Sequence, residues 1–456
     1  MSVAEESVSP GDFGITNRPE SPPLPHPAAP GPGNPTEPAT AKESNGALPA
    51  RKWRIALYSH DTTGLGHMRR NLRIARSIMA SRLPASVLLI AGAREACAFT
   101  LPPGVDCLAL PALYRDTNGQ YRSRCLDMSI QDLIGLRAKT IAAALAAFEP
   151  DVFIVDTVPR GPLRELDLGL EFLAARGRTR CLLGLRDVLD DPATVRREWS
   201  NAANEDVIRD IYDAIWVYGD PLVYDQVREY GYPAAVAAKV RYLGYVTRPV
   251  GPTLSQIDGI ELLPAVAGPP ERLTLCMVGG GQDGMSLAEA FAQVQFPHGT
   301  KGVVVTGPFM PADTHQRLCR YAAANPQLRV LKFVTDPDLL LSLADRVIAM
   351  GGYNTVCELL AFGKRALIVP RVKPTREQFI RAERLHSLGL VDVLHTDEVS
   401  PRALNQWLAR ERQAPAPTPT RIDLNGAANL PRVLAELLVD ITAKAHHDRR
   451  SQYAAC

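Results

Sequence analysis

The sequence predicts an α/β protein built from two doubly wound, Rossmann-like domains facing a cleft. Short apolar runs alternate with longer amphipathic stretches from Trp53 onward, the pattern of a parallel sheet covered by helices on both faces. The alternation breaks in a Pro- and Gly-rich passage from Thr247 to Pro270 and restarts at Leu273. Gly-rich turns stand at strand ends in both halves, at Gly64 and Gly66, at Gly279 to Gly281 and at Gly351-Gly352, where such sheets gather ligands.

A length of 456 residues leaves room for two domains beside flexible ends. Hydrophobic residues make up 46% and charged residues 22%, with a net charge of +2, so no global field points to nucleic acid. Eight cysteines are scattered singly, without a Cys-x-x-Cys pair, and read as thiols of a reducing cytosol. No apolar signal region opens the sequence, and no run of about 18 apolar residues is present. The expected setting is cytoplasmic, without a membrane span, and peripheral contact at the inner membrane face stays open.

The first 50 residues hold 11 of the 38 prolines and almost no aliphatic clusters. Such a segment cannot bury enough surface to offset its ordering entropy, so residues 1–50 read as a disordered tail. The first domain, residues 51–247, opens with a strand over Trp53 to Ser59. The loop HDTTGLGHMRR follows, then a helix with Leu72, Ala75, Ile78 and Met79 on one face. A dinucleotide fingerprint would need a third glycine where Arg69 stands, which argues against a nicotinamide cofactor. Strands follow at Val87 to Ala91, Asp151 to Val155, Cys181 to Leu185, Ala214 to Tyr218 and Val240 to Val246. Helices fall at Asp132 to Phe148, Leu163 to Ala175 and, as one long stretch, Pro192 to Tyr212. His60, His67, Asp156, Arg160, Arg186 and Asp187 all stand at or beyond carboxyl ends of strands. Asp190-Asp191 lies before Pro192 and reads as helix N-terminal charge, not as a metal-binding pair.

The second domain, residues 248–412, repeats the pattern. Strands are expected at Leu273 to Val278, Gly302 to Thr306, Val330 to Val334, Val347 to Ala349, Ala366 to Val369 and Val391 to Leu394. Helices are expected at Ala312 to Ala324, Leu339 to Ala344, Arg376 to Leu388 and Pro401 to Arg410. A Pro/Ala linker and a final helix near Leu430 to Ile441 occupy residues 413–456. The most informative stretch is MGGYNTVCELLAFGKRALIVPRVKPTREQ, from Met350 to Gln378. Gly351-Gly352 break the strand, and Asn354 or Thr355 caps a helix that Gly363 ends. A helix start behind glycines offers free N–H groups to an anion. Glu358, about one turn further in, can accept hydrogen bonds from paired sugar hydroxyls, and Glu377 and Gln378 open the next helix. An anion beside a diol describes a nucleotide diphosphate. A plain βαβ unit with Glu358 on a solvated face would account for the same residues.

This stretch resembles the donor-binding segment of the family-28 glycosyltransferases. Gly352, Thr355, Glu358, Glu377 and Gln378 match that family's motif in order and spacing, except that Glu377 stands where a glutamine is usual. Gly64-x-Gly66-His67 resembles the family's N-terminal Gly-rich loop. Gly279 to Gln282 resembles its Gly-Gly-Ser-Gln turn, with Gly281 in place of the serine. Gly244 and Arg248 fit its interdomain Gly-x-x-x-Arg. The resemblance covers most of residues 53 to 412. It implies the type-B glycosyltransferase fold and inverting transfer from a nucleotide-diphosphate sugar, UDP favoured, to an acceptor hydroxyl, with no metal and no cofactor beyond the donor. The implied donor contacts are Gly64, Gly66, Arg248, Gly280, Gly281, Gln282, Val334 (backbone, toward the base), Gly351, Gly352, Tyr353, Asn354, Thr355, Glu358, Glu377 and Gln378. His67, then Asp187, are the expected bases, imidazole because it exchanges a proton near neutral pH. The acceptor is a glycan, a lipid-linked molecule or a small molecule. Two other readings use the same architecture: a nucleotide-sugar 2-epimerase, and a nucleotide-sugar-binding protein without catalysis.

Overall fold

A computed structural model describes residues 52–62, 66–116, 120–201, 203–247, 272–332, 334, 337–410 and 422–439. The expected tail, Gly64 and Arg248 lie outside the described residues. Two parallel sheets organise the rest. The first comprises β1 (Trp53–Ser59), β2 (Ala85–Ala91), β3 (Val105–Ala109), β6 (Val152–Asp156), β7 (Arg180–Arg186), β8 (Ala214–Tyr218) and β9 (Val240–Tyr242), in the order β3-β2-β1-β6-β7-β8-β9. Between β3 and β6 the chain forms a small antiparallel hairpin, β4 (Leu113–Arg115) and β5 (Tyr121–Ser123). The second comprises β10 (Arg272–Met277), β11 (Thr300–Val305), β12 (Leu328–Leu331), β13 (Arg346–Ala349), β14 (Arg365–Ile368) and β15 (Asp392–Val393), in the order β12-β11-β10-β13-β14-β15.

Each order reverses once, between β1 and β6 in the first sheet and between β10 and β13 in the second. Loops leaving the two strands on either side of a reversal diverge to opposite faces and open a crevice beyond the carboxyl ends, which is where doubly wound sheets bind ligands. The four crevice-forming ends carry His60, Asp156, the Gly279 turn and Gly351-Gly352. Those four stretches are where the sequence concentrated its candidate residues.

Both faces of the central strands are covered. Ile55, Leu57, Val152, Ile154 and Leu182 lie in one apolar cluster, and Ala56, Tyr58, Phe153, Val155 and Leu183 in another. Successive side chains alternate between faces, so two-sided burial explains why these strands read as unbroken apolar runs. The first helix, α1 (Gly66–Ala80), packs Leu72, Ala75 and Ile78 against the first sheet. The second, α2 (Ile130–Phe148), is capped by Ser129, whose hydroxyl accepts from the Asp132 amide.

Several boundaries differ from expectation. The long helix over 192–212 is two helices, Pro192–Asn201 and Asn204–Asp210, separated at Ala203, whose φ of 49° is left-handed and ends a right-handed helix. The strand expected at Val330 to Val334 is Leu328–Leu331, and the one expected to run to Val246 stops at Tyr242. The C-terminal helix, 426–439, returns to the first domain. Val246 bridges Asn425, Asp220 accepts from the Asp423 amide, and Leu430, Leu434 and Leu438 join the core beside Leu243 and Tyr245.

Candidate functional site

The crevice of the first sheet is built around the start of α1. Asp61, held in a left-handed conformation, accepts from the Ser59 hydroxyl at 2.6 Å and from the Met68 amide at 2.8 Å. The second bond satisfies one of the free N–H groups of the first helical turn and fixes where His67 points. His67 Nδ1 lies 2.5 Å from Asp156 Oδ2 at the end of β6. Two acceptors at that distance would repel, so Nδ1 carries the hydrogen and Nε2 is the ring nitrogen left to face a substrate. Arg70, one turn further along α1, grips the same carboxylate at 2.8 Å (Nε–Oδ1) and 2.6 Å (Nη2–Oδ2). Burial alone would push the Asp156 carboxyl up. The Arg70 guanidinium and then His67 outweigh it and hold the group well below the usual carboxylate range. His60 lies against His67, with ring centroids 4.3 Å apart. Burial, reinforced by His67, holds its imidazole well below the ordinary value and therefore neutral.

The crevice of the second sheet is formed by two glycine turns. In the first, Gly281 has φ +94°, and a Cβ there would lie 2.2 Å from the Thr306 carbonyl oxygen, so only glycine fits. Gln282 beside it is exposed. In the second turn the helix over Tyr353–Ala361 begins earlier than expected. Gly352 occupies the N-cap position and no side chain caps it, so neither Asn354 nor Thr355 does so. With no capping side chain, the first N–H groups of the helix lack an internal acceptor, the arrangement that receives an anion. Asn354 instead reaches across the cleft, where its Nδ2 donates to the Gly66 carbonyl at 2.8 Å. Glu358 is not on a solvated face: it is buried and ion-paired with Arg73 of α1. The Val334 carbonyl accepts from Arg69 Nη2 at 3.2 Å.

Other expected residues are placed differently. Asp187 is fully buried, and Arg381 holds both its oxygens at 2.7–2.9 Å while the Tyr245 hydroxyl donates to it at 3.0 Å. A carboxylate bound on all sides cannot take a proton from a substrate, which corrects the expectation of a second base. Glu377 is also buried, within 3.1 Å of Arg371, 3.2 Å of Arg381 and 3.5 Å of Arg186. Gln378 Oε1 accepts from the Arg371 amide at 3.1 Å. Arg160 pairs with Asp167 within its own domain. Asp191 accepts from the Ala193 and Thr194 amides, the helix-start role expected of it.

Between the crevices lies a cavity of about 370 Å³ lined by Thr62, Tyr114, Arg115, Ser123, Arg124 and Gln282. The structure sets His67 beside Asp156, and Gly66, Arg69 and Arg73 of α1 beside Asn354, Val334 and Glu358; of the expected donor residues that are described, only Gln282 lines the cavity. The sequence missed the partners Arg70, Arg73 and Arg381. Arg69 and Arg73 recur at helical spacing opposite the apolar face of α1, the one signal that this face meets another domain.

Residues 274–429 match the family model of the glycosyltransferase family 28 C-terminal domain. Over 143 residues the chain is 27% identical to the UDP-N-acetylglucosamine--N-acetylmuramyl-(pentapeptide) pyrophosphoryl-undecaprenol N-acetylglucosamine transferase of Cronobacter sakazakii. That match spans 31% of this chain and 40% of the relative's length. Among solved structures, the calicheamicin glycosyltransferase CalG4 is similar with a TM-score of 0.53 at 16% identity, over 86% of this chain and 99% of its own. The UDP-GlcNAc 2-epimerase from Neisseria meningitidis, solved with UDP-GlcNAc, is similar with a TM-score of 0.56 at 12% identity, over 86% and 100%. At such identities the structural likeness speaks to the fold, which is the type-B glycosyltransferase architecture.

Proposed function

We infer that this chain, which resembles the family-28 glycosyltransferases, moves a sugar from a nucleotide-diphosphate donor, UDP favoured, to an acceptor hydroxyl. The observation that carries the reading is the pairing of the two crevices. One presents a His67–Asp156 pair; the other presents two glycine turns and an uncapped helix start.

In this mechanism Nε2 of His67 takes the proton of the acceptor hydroxyl as its oxygen attacks the anomeric carbon. The bond from that carbon to the donor diphosphate breaks with inversion, and the diphosphate leaves with the electron pair. Asp156, kept ionised by Arg70, stabilises the imidazolium that forms. The leaving diphosphate gains charge as the bond breaks, so the N–H groups of Gly279 to Gln282 and Gly352 to Asn354 act where charge develops. Glu358 receives the ribose diol and the Val334 carbonyl the base. Arg248 is assigned to the diphosphate by resemblance alone. No step is given to a metal. Glu377, committed to three guanidiniums, is assigned a structural task, which leaves Gln378 as the nearer contact for the donor sugar.

The relative's acceptor is named as a pyrophosphoryl-undecaprenol, so a lipid-linked acceptor is the first class to try, with the protein working at the cytoplasmic face of a membrane. Among the described residues no helix is long and apolar enough to cross one. The test is product analysis with labelled UDP-sugars and candidate acceptors. The reading expects a transferred glycoside and free UDP, lost in His67→Ala. An epimerised nucleotide-sugar would replace it with the epimerase reading, and an unchanged ligand that binds would leave a non-catalytic binder.

A further inference from the structure

We propose that α1 competes with the nucleotide for the donor site and imitates it group by group. The inference rests on the donor site proposed above. Three of the polar groups assigned to the donor in the second domain already have a partner of matching chemistry, and all three partners come from one helix of the first domain. The Gly66 carbonyl, an acceptor like a phosphate oxygen, takes the Asn354 Nδ2–H at 2.8 Å beside the uncapped helix start. Arg69 Nη2, a donor like the N–H of a pyrimidine ring, gives to the Val334 carbonyl at 3.2 Å. Arg73, a donor like a ribose hydroxyl, pairs with Glu358. Gly66, Arg69 and Arg73 stand at i, i+3 and i+7, so one face of α1 makes all three contacts. Arg70 lies between them with its guanidinium 5.2 Å from the centre of the Tyr353 ring. Ser77, one turn beyond Arg73, donates to the Ala427 carbonyl and anchors the far end of the same face.

The substitution is incomplete. Arg73 Nη1 and Asn354 Oδ1 are buried with no hydrogen-bond partner among the described residues. Unpaired buried polar groups carry a desolvation cost, so the self-contact is weaker than a fully matched ligand. A nucleotide that supplies every group can therefore displace α1 and part the domains. The closed form binds no nucleotide, so the apparent affinity is lowered by the fraction of molecules that are open.

The experiment is calorimetric titration of UDP into the full chain, its Arg73→Ala and Arg69→Ala variants, and Glu358→Ala. Loss of either arginine weakens the closed form without touching the second domain, so both variants should bind UDP roughly three- to tenfold more tightly. Glu358→Ala should bind more weakly. Arg69 meets the Val334 backbone carbonyl across the cleft, so its variant carries the same prediction should Arg73→Ala fail to fold. UDP binding by the parent chain with unchanged or weaker binding by both arginine variants overturns the inference while leaving the donor site in place. No binding by any form overturns the donor site and the inference together.

Discussion

Replacing Arg381 by methionine perturbs the most deeply buried charge between the two domains. Arg381 and Asp187 are both fully buried and share three N–O contacts of 2.7–2.9 Å. Arg381 also donates to the Gly351 carbonyl at 2.8 Å and to Glu377 at 3.2 Å. Methionine fills much of the volume but leaves the Asp187 charge with the Tyr245 hydroxyl and the Val188 amide as its remaining donors. Breaking one partner of a buried ion pair costs about 3–5 kcal/mol, and stranding the Gly351 carbonyl adds about 1–3 kcal/mol. Glu377 keeps Arg371 and Arg186, so it adds little. The expected loss is therefore about 4–8 kcal/mol, a large part of the ~5–15 kcal/mol that holds a typical domain folded. Urea denaturation followed by circular dichroism measures it. Adding Asp187→Asn to Arg381→Met should recover part of the loss, because the stranded charge is then gone. A loss below about 1 kcal/mol, the range of an exposed pair, would refute the reasoning.

The buried His60 makes stability depend on pH. Its imidazole stays neutral in the folded chain, whereas an unfolded histidine takes up a proton below about pH 6.5, so stability should fall as pH drops from 7 toward 5 by up to about 1.4 kcal/mol per unit. His60→Gln should flatten that slope in urea titrations, and an unaltered slope would place the proton elsewhere. Gly281→Ala forces a side chain into a left-handed position against the Thr306 carbonyl, a strain of about 1–3 kcal/mol. It should lower the melting temperature and abolish UDP binding, and parent-like affinity would separate this turn from the donor.

How much was legible follows from what local sequence can encode. The central strands were readable because burial on both faces makes them apolar runs, as in Trp53–Ser59 and Ala214–Tyr218. β3 was not, because an edge strand with exposed Asp106 and half-buried neighbours loses that signature. The hairpin strands β4 and β5 have three residues each, too few for a period to register. The helix start at Gly352 was misplaced because capping preferences favour Asn354 or Thr355, whereas the N-cap position falls on Gly352 and carries no capping side chain. Among the candidate residues, the glycine turns stood out at strand ends, and His67 and Glu358 through the loop and helix that follow such turns together with the family resemblance. Their pairings were not legible. Asp156 is 89 residues from His67, and Arg73 is 285 residues from Glu358, and nothing in local spacing pairs charges across such distances. Asp187 was mistaken for a base for the same reason, since Arg381 lies 194 residues away.

The central claim is that donor binding belongs to the second domain and proton transfer to the first. Measuring UDP-sugar dissociation constants and turnover side by side for Glu358→Ala and His67→Ala tests it most directly. Glu358→Ala removes a charged acceptor of ribose hydroxyls and should weaken donor binding by about 1.5–3 kcal/mol. His67→Ala should leave donor affinity within a few-fold of the parent and cut turnover by roughly 10²–10⁴. Equal loss of donor affinity in the two variants, or full turnover in His67→Ala, would contradict the account.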